Sequence, residues 1–177
     1  MSNAAKAQAQ IPGIVMMAAG AVFLLFYLFY TLWTGFYLLT GCMGTGTYAM
    51  LAATEGDGGL LMGAGCAAWS LLMTCLSVVA YLALAIGGAF VGFAGLNLQN
   101  LKSQSRVKQG MIAAGAIPLV GILVNVLAGV GSLSVTGMCG AVTGTVPQIL
   151  PLALGVAAAA YTYVTLQDET VAGAFEE

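Results

Sequence analysis

The side chains that could do chemistry in this chain are few, and the cysteines come first. Cys42, Cys66 and Cys139 fall where we expect the chain to lie outside the lipid, so the sequence predicts one disulfide on an oxidising side. A Cys42–Cys66 bond would close the first external loop, and a Cys42–Cys139 bond would join the two halves of the chain. Both pairings stay open. No Cys-x-x-Cys motif occurs, which argues against a disulfide-exchanging enzyme.

Other catalytic or ligating groups are scarce. The chain has no histidine, which removes the commonest metal ligand and the usual general base near neutral pH. Glu55 and Asp57 could hold a cation, but the run Glu-Gly-Asp-Gly-Gly is more typical of a solvated loop. We therefore expect no catalytic residue, no metal site and no cofactor, and we expect a protein that is not an enzyme.

The charged residues indicate where the remainder of the chain must lie. They make up 6% of the 177 residues, whereas a soluble domain carries about 25%, and 60% of the residues are hydrophobic. Long charge-free stretches indicate lipid, because charge is the most costly group to place in hydrocarbon. The net charge of −2 and the lack of a basic stripe exclude an electrostatic footprint for nucleic acid.

Four apolar stretches are long enough to cross a bilayer, which takes roughly 20 residues each. They predict an all-α integral membrane protein, residues 1–177 forming one domain with four transmembrane helices, at about 14–39, 60–96, 111–133 and 147–166. Lys6 and the basic loop at 102–108 then share a side, which the positive-inside rule makes cytoplasmic or its equivalent. Both termini are expected on that side.

The start of the chain offers one alternative to a first span. Leu39-Thr40-Gly41-Cys42 resembles the lipobox of bacterial lipoproteins, in which the cysteine is lipidated after cleavage. The apolar run before it, at about 26 residues, exceeds the usual signal core of about 7–15 residues. We therefore expect an uncleaved span.

The two external loops have similar sequences. Thr40–Thr47 and Thr136–Thr145 share the order Thr-Gly, a Cys/Met pair, Gly, then Thr-Gly-Thr, with two extra residues in the second copy. A true repeat predicts two similar helical hairpins in one bundle, related by an axis along the membrane normal. The alternative is convergence of two Gly/Thr-rich loops, which leaves the shared Cys/Met step unexplained.

Small residues recur in the spans at spacings that let helix backbones approach, and such stripes mark helix contacts in lipid. The predicted packing residues are Gly88, Gly92, Gly121, Asn125, Gly129 and Gly155. Asn125 is the most polar side chain well inside a span. We favour an interhelical hydrogen bond for it over a pore contact, because no carboxylate or base accompanies it.

Aromatic side chains line one face of the first span, at Phe23, Phe26, Tyr30, Trp33 and Tyr37. We favour an interfacial aromatic belt combined with helix packing. The alternative is a platform for a flat ligand such as a pigment, quinone or sterol, although no charged or histidine partner accompanies the stripe.

The second span is longer than a bilayer requires. About 37 residues of helix reach roughly 55 Å, against a hydrocarbon core of roughly 30 Å. With Trp69 as an anchor at the outer interface, Leu60, Leu61 and Met62 project from the lipid without a polar group to show to water. Such a surface is expected to be covered by a partner.

These features predict a non-catalytic integral membrane subunit that packs into a larger membrane assembly or lattice, in a structural or accessory role. One alternative is an oligomeric channel or carrier for neutral or lipid-like solutes, built around the Gly/Asn face of the third span. The other is a pigment- or lipid-binding accessory protein that uses the aromatic face. The expected partners are the lipid bilayer and other membrane subunits or copies of the chain, without nucleic acid.

Overall fold

The fold is a bundle of long helices. The computed structural model describes the backbone of residues 3–52, 57–131 and 144–175, and the side chains of these residues except 3, 37–38, 41–52, 57–67, 70 and 130–131. Helix dominates these ranges and no strand occurs in them, which confirms the all-α prediction. The helices are α1 (Asn3–Ala52), α2 (Asp57–Gln99), α3 (Gln104–Gly131), α4 (Ile149–Gln167) and the short α5 (Glu169–Ala172).

Four segments are long and apolar enough to cross a membrane. They are Ala4–Phe36, Leu71–Gln99, Gln104–Gly129 and Val146–Gln167, the last beginning with a 3₁₀ turn at Val146–Gln148. Each segment overlaps one predicted span. α1 begins earlier than hydropathy indicates, because Lys6, Gln8 and Gln10 interrupt the apolar run while their neighbours are mostly alanines, which favour helix.

α1 and α2 form an antiparallel hairpin whose register is set by glycines. A Cβ added to Gly20 would overlap the backbone of Gly92, and one added to Gly13 would overlap the Gln99 side chain. Further along, the rings of Tyr30 and Tyr81 lie 5.3 Å apart. The two backbones therefore meet as closely as glycine permits.

α3 and α4 pack against the same part of the hairpin. Gly110 of α3 faces Ala94, and Gly155 of α4 lies against the carbonyl oxygen of Ala114. The core between the helices is formed by fully buried side chains that include Met16, Phe23, Tyr27, Val91 and Leu98.

α1 and α2 continue well past the segments that could cross a membrane. Residues 37–52 extend α1 by about 24 Å, and residues 57–70 extend α2 by about 21 Å. We call this part the projecting hairpin. The predicted loop at Thr40–Thr47 is therefore wrong, since these residues lie within α1: no proline or charge interrupts them, and glycine is common in membrane helices. Its proposed second copy lies outside the described residues up to position 143.

Candidate functional site

One end of the bundle carries nearly all the described charge. The end is formed by the start of α1, the α2–α3 connection and the region after α4, and its charged residues are Lys6, Lys102, Arg106, Lys108, Asp168 and Glu169. We call it the charged end. The Arg106 guanidinium carbon lies 5.7 Å from the centroid of the Phe93 ring, a cation–π geometry at the edge of the apolar region.

A small hydrogen-bonded latch joins α1 to α5 at the charged end. The backbone N–H of Thr170 donates to Asp168 Oδ1 at 2.9 Å, and the Thr170 hydroxyl donates to the same oxygen. That hydroxyl also lies 2.9 Å from Gln8 Oε1. The hydrogen bonds from Thr170 hold the pKa of the Asp168 carboxyl below its ordinary value.

The middle of the bundle contains the predicted packing glycines. A Cβ on Gly88 would lie 2.7 Å from the Leu24 nitrogen, and one on Gly121 would overlap the Tyr27 ring. Gly155 lies at the α3–α4 contact and Gly129 is buried. Gly92 is different, because a Cβ there would only reach 4.0 Å from the Gly20 Cα atom.

The glycines of α1 were missed from the sequence, although Gly13 and Gly20 form half of the seam with α2. A signal for them exists. The seven-residue spacing of Gly13 and Gly20 matches that of Gly88 and Gly95, so the two stripes can be superposed in antiparallel register.

A polar cluster closes the bundle at the far end of α3. The Tyr81 hydroxyl of α2 donates to Asn125 Oδ1 of α3 at 3.2 Å, and the Tyr30 hydroxyl of α1 donates to the carbonyl oxygen of Gly144 at 3.0 Å. A Cβ on Gly144 would lie 2.5 Å from Asn125 Nδ2, so the two residues are in close contact. This cluster, which we call the tyrosine–asparagine cluster, ties three helices to the chain that enters α4.

Three buried polar atoms near this level lack a hydrogen-bond partner among the residues that the structure describes. They are Nδ2 of Asn125 and both side-chain amide atoms of Gln148, whose side chain is fully buried. An amide buried without a partner costs about 1–3 kcal/mol in proteins. Gln148 was missed from the sequence, because a glutamine next to Pro147 at the start of a span is typical of an interface position.

Beside the cluster lies a cavity of about 170 Å³ between α1, α2 and α3, which we call the hydroxyl cavity. Its lining residues are Thr34, Met73, Thr74, Ser77, Tyr81, Asn125 and Ala128, none of them charged. The Ser77 hydroxyl donates to the Met73 carbonyl oxygen at 2.8 Å, so the Ser77 oxygen can still accept a hydrogen bond from another group.

The predicted aromatic face does not form one surface. Phe23 is fully buried, Phe26 and Tyr30 are half-buried with their rings 4.9 Å apart, and Trp33 is 52% exposed. The side chain of Tyr37 lies outside the described set. Tyr27, which the pattern omits, is fully buried and stacks on Tyr81 with ring centroids 6.3 Å apart.

Several predicted positions cannot be placed at the side-chain level. The side chains of Cys42 and Cys66 and the whole of Cys139 lie outside the described residues, so the disulfide stays a prediction. The same holds for the side chains of Leu60, Leu61 and Met62. Trp69 is half-exposed on α2, and Cys75 is an exposed free thiol.

Comparison with known proteins gives no relative: no protein-family model, no curated protein and no solved structure matches this chain. The functional conclusion therefore depends on the geometry described above.

Proposed function

We propose that the chain is a non-catalytic integral membrane subunit that packs into a larger membrane assembly through its projecting hairpin. The observation that carries the proposal is the length of α1 and α2, which continue as helix beyond the four-helix part. Glu55 and Asp57 are the only charged residues in the sequence between positions 37 and 70. When the lipid is placed as in the next two paragraphs, the extra length of these two helices forms an apolar surface outside the bilayer.

The hydrocarbon layer fits between the charged end and the level of Trp33. From Gly13 to Trp33 a helix rises roughly 30 Å, which is the thickness of the hydrocarbon core. α4 begins at Ile149, close to the level of Tyr30, since Gly144 accepts a hydrogen bond from that side chain. Tyr30 lies about one helical turn from the proposed outer boundary at Trp33, so α4 starts near that interface.

This placement leaves the projecting hairpin outside the lipid. With Tyr30 opposite Tyr81, the antiparallel register puts Trp69 about ten residues, or roughly 15 Å, beyond the level of Trp33. The exposed side chains described there include Leu39 and Trp69, at 69% and 46% exposure, and the Thr40 hydroxyl donates to the Phe36 carbonyl oxygen of its own helix. An apolar surface of this kind in water favours a protein partner as its cover.

The topology completes the proposal. Four crossings put both termini on one side of the membrane, and the basic residues of the charged end favour the cytoplasmic or equivalent side. In this arrangement α1–α2 and α3–α4 are two hairpins of one bundle, alike within the lipid and different in length outside it.

The test is gentle detergent extraction from native membranes, followed by sizing and mass spectrometry of the co-purifying chains. We expect a particle larger than the monomer that contains other subunits or further copies of this chain. A monodisperse monomer would overturn the proposal.

A pair of variants localises the contact. Leu39→Gln with Trp69→Gln makes the projecting hairpin more polar, and we expect it to release the chain from the assembly. The matched control is Ile11→Gln, an exposed apolar residue beside the charged end, which should leave the assembly intact. Equal particle sizes for both variants would place the contact elsewhere.

A further inference from the structure

The hydroxyl cavity is lined by hydroxyl and amide groups that have no part in the assembly contact proposed above. We propose that it binds the headgroup of a neutral lipid of the benzoquinone type, with a ring carbonyl accepting a hydrogen bond from the Tyr81–Asn125 pair. This inference is independent of the assembly proposed above, because the cavity lies inside the bundle between α1, α2 and α3.

The size of the cavity selects a single ring. At about 170 Å³ it is close to the roughly 150 Å³ of a cavity known to hold benzene, so a single ring fits within its walls. Its lining has no charged residue. A phosphate headgroup would therefore enter without a cation to pair with, whereas a neutral ring enters without that cost.

The hydrogen-bonding capacity of the lining selects oxygen acceptors. The Tyr81 hydroxyl donates to Asn125 Oδ1, and Asn125 Nδ2 is buried without a partner in the described part of the chain. Turning the Asn125 amide by 180° exchanges its nitrogen and oxygen atoms. Nδ2 then donates to the Tyr81 oxygen, and the Tyr81 hydroxyl hydrogen no longer takes part in a hydrogen bond with Asn125. In the second orientation the Tyr81 hydroxyl, on a residue that lines the cavity, has a hydrogen that a ligand carbonyl can accept.

The walls of the cavity suit a flat ring. Tyr81 lines the cavity, and its buried ring packs against the Tyr30 ring at 5.3 Å and the Tyr27 ring at 6.3 Å, which fixes the position of its hydroxyl. The Met73 side chain adds a polarizable thioether, which makes favourable contacts with aromatic rings. Thr34, next to Trp33 in the sequence, places the cavity at the proposed outer interface, where the headgroup of an amphiphile lies.

The test is a titration of the purified chain, in detergent micelles, with decyl-benzoquinone, and quenching of tryptophan fluorescence is the readout. We expect saturable binding that is at least tenfold weaker in Ala128→Phe, which fills the cavity without removing a hydrogen bond. We expect a similar loss in Asn125→Leu. The matched control is Ala116→Phe, an exposed position on the same helix, with unchanged binding expected.

Folding and ligand class are tested in the same experiment. Circular dichroism and sizing must show that Ala128→Phe keeps its helix content and particle size. Equal quenching in Ala128→Phe and Ala116→Phe would show that the probe only partitions into the micelle and would overturn the site. Competition by decyl phosphocholine or decyl maltoside as strong as that by the quinone would overturn the assigned ligand class.

Discussion

The α1–α2 hairpin and the α3–α4 pair differ in how their helices are joined. In the hairpin, Gly20 and Gly88 let the backbones touch along a seam. In the shorter pair, α3 and α4 meet in one close contact at Gly155, and the hydrogen bonds near the two ends of α4 run to α1, from Tyr30 to Gly144 and between Thr170 and Gln8. The hairpin is therefore joined along its length, whereas the α4 end of the shorter pair is also held to the hairpin by hydrogen bonds at both ends.

The difference has a physical reason. Lipid gives no hydrophobic drive for two helices to associate, so close van der Waals contact between backbones is what joins a hairpin inside it. In the membrane arrangement proposed above, the hairpin also projects beyond the lipid, and direct backbone contact stabilises it both in lipid and in water. Helices that end at the interface have free backbone groups there, and polar latches suit that position.

The largest expected effect comes from breaking the seam. Gly20→Ala places a Cβ on the Gly92 backbone, which cannot move aside as a side chain can, so we expect a loss of about 1–3 kcal/mol in the free energy of unfolding. Unfolding by a denaturing detergent measures it. Gly92→Ala and Gly35→Ala are the controls, because a Cβ at either position meets nothing closer than 4.0 Å. Equal losses in all three variants would show that the seam is not glycine-specific.

A smaller effect is expected from the tyrosine–asparagine cluster. Tyr30→Phe and Tyr81→Phe each remove one hydrogen bond of the tyrosine–asparagine cluster, at about 0.6 kcal/mol apiece. Faster amide exchange at the start of α4 in Tyr30→Phe is the specific readout. Tyr163→Phe, at an exposed position on α4, should change neither quantity. Unchanged exchange in Tyr30→Phe would argue that α4 is joined to the hairpin only by packing.

The smallest effect belongs to the latch at the charged end. The pKa of Asp168 lies below its ordinary 3.8, so its contribution to α5 is complete above that value and is lost as the pH falls through the lower, folded-state pKa. We expect the carboxyl carbon shift of Asp168 to titrate below 3.8. In Thr170→Val the midpoint should move up toward 3.8, since the hydroxyl donor is gone. Glu169→Gln is the control and should leave the Asp168 midpoint unchanged. An unchanged midpoint in Thr170→Val would contradict the hydrogen bond between Thr170 and Asp168.

The sequence located parts of the site as well as the fold. Gly88, Gly121 and Gly155 lie at helix contacts, as their spacing indicates. Hydropathy could not separate Gly88 from Gly92, because both have the same residue type on one helix. Only the position of the partner backbone shows that the first is crowded and the second is not.

Other parts of the site could not be predicted. Gln148 looks like an interface residue in the sequence, yet it is fully buried. The hydroxyl cavity combines residues from three helices that are up to about 90 positions apart, such as Thr34 and Asn125. Neither the local spacing of residues nor the composition indicates which residues from distant helices line the same cavity.

The sequence by itself determined that this chain is helical, that four segments can cross a membrane, and where the charged end lies. It could do so because helix period and the cost of charge in lipid act locally, residue by residue. The tertiary structure decided the register of the α1–α2 seam, the crowding at Gly88 but not at Gly92, and the partners of Asn125. These depend on which backbones approach, and that is settled only when distant helices pack together.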